Sequence, residues 1–99
     1  MNAEIDQFIL YLATERGLSD NYQLSTRSSL ELFVRWSAET GRGAVWSAVT
    51  PEQIGEFLGW RKKGGAAAAT IRLHAVALRI FFRFLVQRKM LGVDRTEFL

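Results

Sequence analysis

Three arginines, Arg72, Arg79 and Arg83, carry the most distinctive chemistry in this 99-residue sequence. They sit at i, i+7 and i+11 in the stretch 66–90, which contains neither proline nor glycine. On a helix of 3.6 residues per turn they fall within a strip about 40° wide and about 16 Å long. Guanidinium groups in a row along one helix face can hold a polyanion. A major groove about 12 Å wide admits a helix. Arg27, with Tyr22 and Gln23 near it in sequence, offers a second contact face. Lys62 and Lys63 stand just before the pair Gly64-Gly65 and suit phosphate contact.

The charge distribution points the same way. Net charge is +3, yet residues 1–56 hold four arginines against eight acids, a net of −4. Residues 57–93 hold eight lysines and arginines and no acid. A positive field this long has phosphate as its natural partner. A solvated basic face is the plainer alternative.

Other chemistries find little material. There is no cysteine, which excludes disulfides, thiolate metal sites and a cysteine nucleophile. The single histidine, His74, falls on the apolar flank of the last helix. It reads as a core or boundary residue, and no metal site or cofactor is expected. Glu52 and Glu56, at i, i+4, read as surface charges. Tyr11 and Tyr22 have no activating base beside them, and Gly64-Gly65 lacks the Lys-Ser/Thr of a phosphate loop. No apolar run approaches the roughly 20 residues that span a membrane. The acidic N-terminus lacks a signal-peptide pattern. The expectation is a soluble, cytoplasmic, single-domain protein.

The elements that must position the arginines follow from periodicity. Ile5, Phe8, Ile9 and Leu12 predict a first helix over 3–16, stopped by Gly17. Ser19, Asp20 or Asn21 caps a second helix that runs to about residue 40. Its inner face is Thr26, Leu30, Phe33, Val34 and Ser37, and its outer face Leu24, Arg27, Ser28, Glu31 and Arg35. Trp36 and Trp46 are expected in the core, Trp46 from a loop. Thr50-Pro51-Glu52-Gln53 predicts a helix start with Thr at N-cap, Pro at N1 and Gln completing a capping box. This third helix runs to about residue 63 and buries Ile54, Phe57, Leu58 and Trp60. The fourth helix buries Ile71, Leu78, Phe82 and Leu85 on one flank and Leu73, Ile80 and Phe84 on the other, with Gly92 closing it. No strand pattern persists, so the fold class is all-α, a four-helix bundle.

Three stretches resemble a known family. R-G-L-S-D-N at 16–21, followed by Arg27, Leu30, Phe33 and Trp36, resembles the start of the N-terminal domain of the tyrosine recombinases, the XerC/XerD and phage-integrase family. T-P-E-Q-I-G-E-F-L at 50–58 is similar to that family's third-helix entry. T-I at 70–71 with A-L-R-I-F-F-R-F-L at 77–85 resembles its fourth helix. The chain departs from the usual pattern at Tyr22 (for Thr), Thr26 (for Tyr), Ser29 (for Asp), and at Leu73, Ala75 and Val76 (for Arg, Leu and Ser). Asp94-Arg95 stands where Asn-Pro often opens a linker.

The resemblance implies a SAM-like core-binding domain, one half of a C-shaped clamp whose second and fourth helices face the major groove of duplex DNA. It places DNA contacts on Arg27, Arg72, Arg79 and Arg83. It implies partners in double-stranded DNA and in other recombinase subunits of a full-length protein. Catalytic residues would lie in a further domain after Leu99, so this chain alone is not expected to cut DNA. A helical protein-interaction module with a basic face, and a small helix-turn-helix regulator, are the alternative readings.

Overall fold

The computed structural model describes residues 2–42, 45–89 and 96. Four α-helices follow one another, α1 Asn2–Thr14, α2 Asp20–Glu39, α3 Pro51–Lys63 and α4 Ala68–Gln87, with a short 3-10 helix, Trp46–Ala48, between α2 and α3. No strand occurs among the described residues. The all-α SAM-like bundle is the observed fold class.

Helix boundaries follow from local chemistry. Ser19 caps α2, its hydroxyl accepting from the Tyr22 backbone N–H at 3.2 Å. Thr50 caps α3 in the same way, accepting from the Gln53 N–H at 3.1 Å, with Pro51 in the first turn. The Gln53 side chain does not follow the expected box. Its amide nitrogen donates instead to the Ser37 hydroxyl at 3.0 Å, in a buried position. That bond ties α3 to α2, and burial makes it worth more there than at a solvated helix end.

Gly41 and Gly65 end α2 and α3 in the left-handed conformation, at φ +69° and +91°. Beyond them, Arg42 N–H reaches back to the Ser37 carbonyl, and Ala66 N–H to the Arg61 carbonyl. These wrapped ends satisfy carbonyls that would otherwise lack donors. α4 starts two residues later than 66, at Ala68, and ends at Gln87, short of 90. Lys89 takes the left-handed turn that glycine usually supplies, at φ +59°. Gly92 and the Asp94-Arg95 pair lie outside the described residues.

α4 packs against α1, α2 and α3. Its buried residues, among them Leu78, Phe81, Phe82, Phe84 and Leu85, cover nearly half of its circumference. An aromatic column runs through the bundle. Phe8 meets Phe81 at 5.3 Å between ring centroids, Phe81 meets Trp46 at 4.6 Å, Trp46 meets Phe33 at 5.7 Å, and Phe33 meets Phe57 at 5.2 Å. Each of the four helices contributes a ring, and Trp46 joins them from the loop, as expected of it.

Two expectations of burial do not hold. Trp60 is 43% exposed, its ring tilted against Trp36 and Phe57 at the rim of α3. Leu73 is 56% exposed. Lower on the same flank, Ile80 and Phe84 are covered, with Phe84 against Phe8 and Tyr11. At Leu73 the facing α2 residues are Ser25, Thr26 and Ser29, too short to close over it.

His74 is buried and fully bonded. Arg61 Nε donates to its Nε2 at 3.1 Å, so Nδ1 carries the proton and donates to the Ser29 hydroxyl at 2.9 Å. α3, α4 and α2 thus share one polar link. Burial lowers the His74 pKa below its ordinary 6.5, and the Arg61 charge lowers it further.

Two predictions follow. Phe82→Ala removes a fully buried ring and should cost about 3–5 kcal/mol, read as a fall in Tm of more than about 10 °C. The second concerns pH. The unfolded chain binds a proton at His74 more readily than the folded one, so stability is complete above the ordinary value of 6.5 and declines as pH falls below it. Melting between pH 7.5 and 5.5 should show this decline. Because the chain has a single histidine, His74→Gln should flatten it; a variant that keeps the slope would remove His74 as its cause.

Candidate nucleic-acid interface

Burial of α4 on three sides leaves one face open. Arg72 and Arg83 are exposed on it, and Arg79 is half-buried. The helix repeat also brings Val76 between Arg72 and Arg83, within about 40° of either. Val76 is 44% exposed.

Most of the described cations fall into two sets, with Arg16, Arg35 and Lys89 exposed outside both. Arg27 pairs with Asp6 at 2.8 Å and lies 3.8 Å from Glu31. Arg42 pairs with Glu56 and stacks over Trp36. Arg61 is bonded to His74. Arg88 pairs with Glu15 at 2.6 Å and covers Tyr11 and Phe84. These four hold the helices to one another. Arg72, Arg83, Lys62 and Lys63 form no ion pair among the described residues. Arg79 has an interaction partner within the fold. The acid-free character of α4 is therefore expressed at its surface, chiefly through Arg72 and Arg83.

Lys62 and Lys63 are exposed at the end of α3, immediately before the turn into α4. The first turn of α4 follows Ala67, which supplies no side-chain cap. Arg27 lies apart from the α4 strip in its partnering. It enters any contact with a polyanion as a cation already held by a carboxylate.

α2 supplies the neighbouring wall. Tyr22, 38% exposed, stands between two hollows. One, about 240 Å³, gathers Tyr22 with Arg16, Ile80, Arg83 and Gln87. The other, about 50 Å³, is lined by Tyr22, Ser25, Thr26 and Ser29 of α2 and by Leu73, Val76 and Ala77 of α4. Sequence reasoning placed Tyr22 with Arg27 and Gln23 in a second contact face and missed the pairing of Tyr22 with Leu73 and Val76. The wheel angle of Val76 was the available signal. Five of the positions at which the chain departs from the family pattern line this second hollow: Tyr22, Thr26, Ser29, Leu73 and Val76. The tyrosine usual at position 26 stands here one helical turn earlier, on the same face of α2.

Chemically, the face offers guanidinium groups for anions, hydroxyls at Tyr22 and Ser25, and an aliphatic patch. Among the described residues no three acidic or histidine side chains gather in a way that could hold a metal. No helix of the described residues is long and apolar enough to cross a membrane.

Comparison with known proteins gives the context. Residues 5–89 match the family model described as phage integrase, N-terminal SAM-like domain. The chain is 32% identical over 97 residues to the tyrosine recombinase XerC of Herpetosiphon aurantiacus, covering 98% of this chain and 31% of that protein. It is 36% identical over 92 residues to the tyrosine recombinase XerD of Pseudomonas putida, covering 93% of this chain and 30% of that protein. The XerD of Oceanobacillus iheyensis is 31% identical over 90 residues. The chain thus spans about a third of the length of the curated relatives it matches. No solved structure matches it. With four helices in the expected order and the family model covering α1 to α4, the chain belongs to the phage-integrase N-terminal SAM-like domain family, as found in tyrosine recombinases of the XerC and XerD type.

Proposed function

We propose that this chain is the DNA-clamping domain of a site-specific tyrosine recombinase. The observation that carries the reading is the open face of α4. It displays Arg72 and Arg83 without a carboxylate partner among the described residues, beside Tyr22 of α2, in a segment free of acid. Four cations are neutralised or bonded within the bundle; among those that stay exposed, Arg72 and Arg83 share the α4 face, and Arg16 joins Arg83 at the hollow beside Tyr22. A duplex laid along α4 would meet Arg72, Arg79 and Arg83 over about 16 Å, with Lys62 and Lys63 reaching phosphates at one end. Phosphate contacts supply affinity and orientation, and base-edge contacts supply sequence preference.

In this reading the chain is a positioning element and not itself an enzyme. Cleavage and rejoining of strands belong to a catalytic domain outside these 99 residues. The clamp holds a phosphodiester in place for attack, contributes contacts between recombinase subunits, and acts in the cytoplasm, where the DNA is.

The test is fluorescence anisotropy of a short duplex at several salt concentrations, for the wild type and for Arg72→Ala/Arg79→Ala/Arg83→Ala. Binding should weaken steeply with salt. The log–log slope should fall by about one for each arginine that has lost a phosphate. Circular dichroism checks that the variant stays helical. A wild type whose binding does not respond to salt would overturn the clamp. So would a folded triple variant with an undiminished slope.

A further inference from the structure

Seven large apolar side chains are exposed on the described surface, and three of them, Tyr22, Leu73 and Val76, line one hollow. Scattered apolar residues need no explanation, but a cluster inside a cationic face does. The hollow is about 50 Å³, room for roughly one group of methyl or water size. Its floor is the aliphatic and hydroxyl surface of Thr26, Ser29 and Ala77, and no charged side chain lines it.

We propose that this hollow receives the C5-methyl group of thymine in the major groove, making Leu73 and Val76 specificity-determining residues for A·T pairs. The inference rests on the DNA-binding reading and deepens it. The choice of occupant follows from charge. Val76 lies between Arg72 and Arg83 on the helix, and Arg83 shares the adjoining hollow with Tyr22. An apolar partner seated here must therefore belong to a molecule that also carries negative charge on either side at helix-groove spacing. Duplex DNA meets that requirement. Of the four bases, thymine alone presents a methyl group on its major-groove edge.

The arginines and the aliphatic patch then do different work on one face. The arginines hold any duplex. Leu73 and Val76 gain only where a methyl group displaces water from the hollow. Tyr22 closes one side of it and offers its hydroxyl to the neighbouring backbone or base edge.

The experiment separates this from the clamp itself. Two 20-base-pair duplexes are compared, one alternating dA and dT, the other with every thymidine replaced by deoxyuridine, which removes the methyl and nothing else from each base. Anisotropy is read at low and at moderate salt. The wild type should prefer the thymidine duplex by about fourfold for each methyl group buried. Leu73→Ala/Val76→Ala should bind both duplexes alike, its affinity for the thymidine duplex falling to the deoxyuridine level, while binding still weakens with salt. Leu73→Gln/Val76→Ser repeats the test with polar side chains should the alanine pair lose helicity. A wild type that binds both duplexes equally, with salt-sensitive affinity, overturns the methyl inference and leaves the clamp standing. A double variant that still prefers thymidine overturns the assignment to this hollow. Loss of all salt-sensitive binding in the wild type overturns both.

Discussion

Trp46 enters the bundle from outside any long helix and makes the contact on which the rest depends. Its ring lies 4.6 Å from Phe81 and 5.7 Å from Phe82 of α4, and 5.7 Å from Phe33 of α2. One side chain therefore sets the spacing of α2 and α4, from contacts in the C-terminal half of each. Aromatic contacts of this kind bury large areas and prefer definite angles, so the wedge fixes orientation as well as spacing. Everything at the surface seam between these helices inherits that geometry. The position of Tyr22 against Leu73 and Val76 is set by rings that none of them touches.

A second constraint acts along the same seam and is electrostatic. The core is nearly all aromatic and aliphatic, and packing of this kind carries no polar atoms that demand one particular partner. The bonds from Ser29 to His74 to Arg61 cannot slide, because each buried polar atom would lose its partner. The Gln53–Ser37 bond does the same between α3 and α2. Both links sit near the Phe57 end of the aromatic column, where they select one register of the helices. Arg61 is also the cation nearest in sequence to Lys62 and Lys63. Its guanidinium turns inward to His74 while theirs stay in solvent. Adjacent residues of one sign are thus divided between holding the fold and charging the surface.

Much of this was legible in the sequence. Ser19 and Thr50 announced their helices by residue type and spacing, and Trp36, Trp46 and His74 lie where their surroundings predicted. The family motifs led to the fold because they consist of core positions and caps, which are local properties. What stayed hidden depended on neighbours distant in the chain. Leu73 looked like a buried flank residue until the short side chains of Ser25, Thr26 and Ser29 came opposite it. Gln53 looked like half of a capping box until Ser37 offered a buried partner. Trp60 looked like core because nothing local reveals where a bundle's rim falls. Arg27 drew notice as part of a second contact face, and only the fold brings Asp6 to it across 21 residues. For the proposed contact face itself, the sequence named the arginines and their side of α4. It could not name the apolar patch, which belongs to two helices.

Putting both kinds of contact on one face changes how recognition responds to its surroundings. Attraction between arginines and phosphates rests on counterion release, so three such contacts weaken by a factor of several tens when salt rises fourfold. Burial of a methyl group has no counterions to release and is almost indifferent to salt over that range. The proposed clamp would therefore lose its hold on DNA in general, as salt rises, far faster than its discrimination between sequences. A domain built with arginines alone would keep the two in step. The exchange of Arg and Ser at positions 73 and 76 for Leu and Val, relative to the family pattern, would move this chain away from that limit. It would do so at a place where the short side chains of α2 leave a hollow of about 50 Å³.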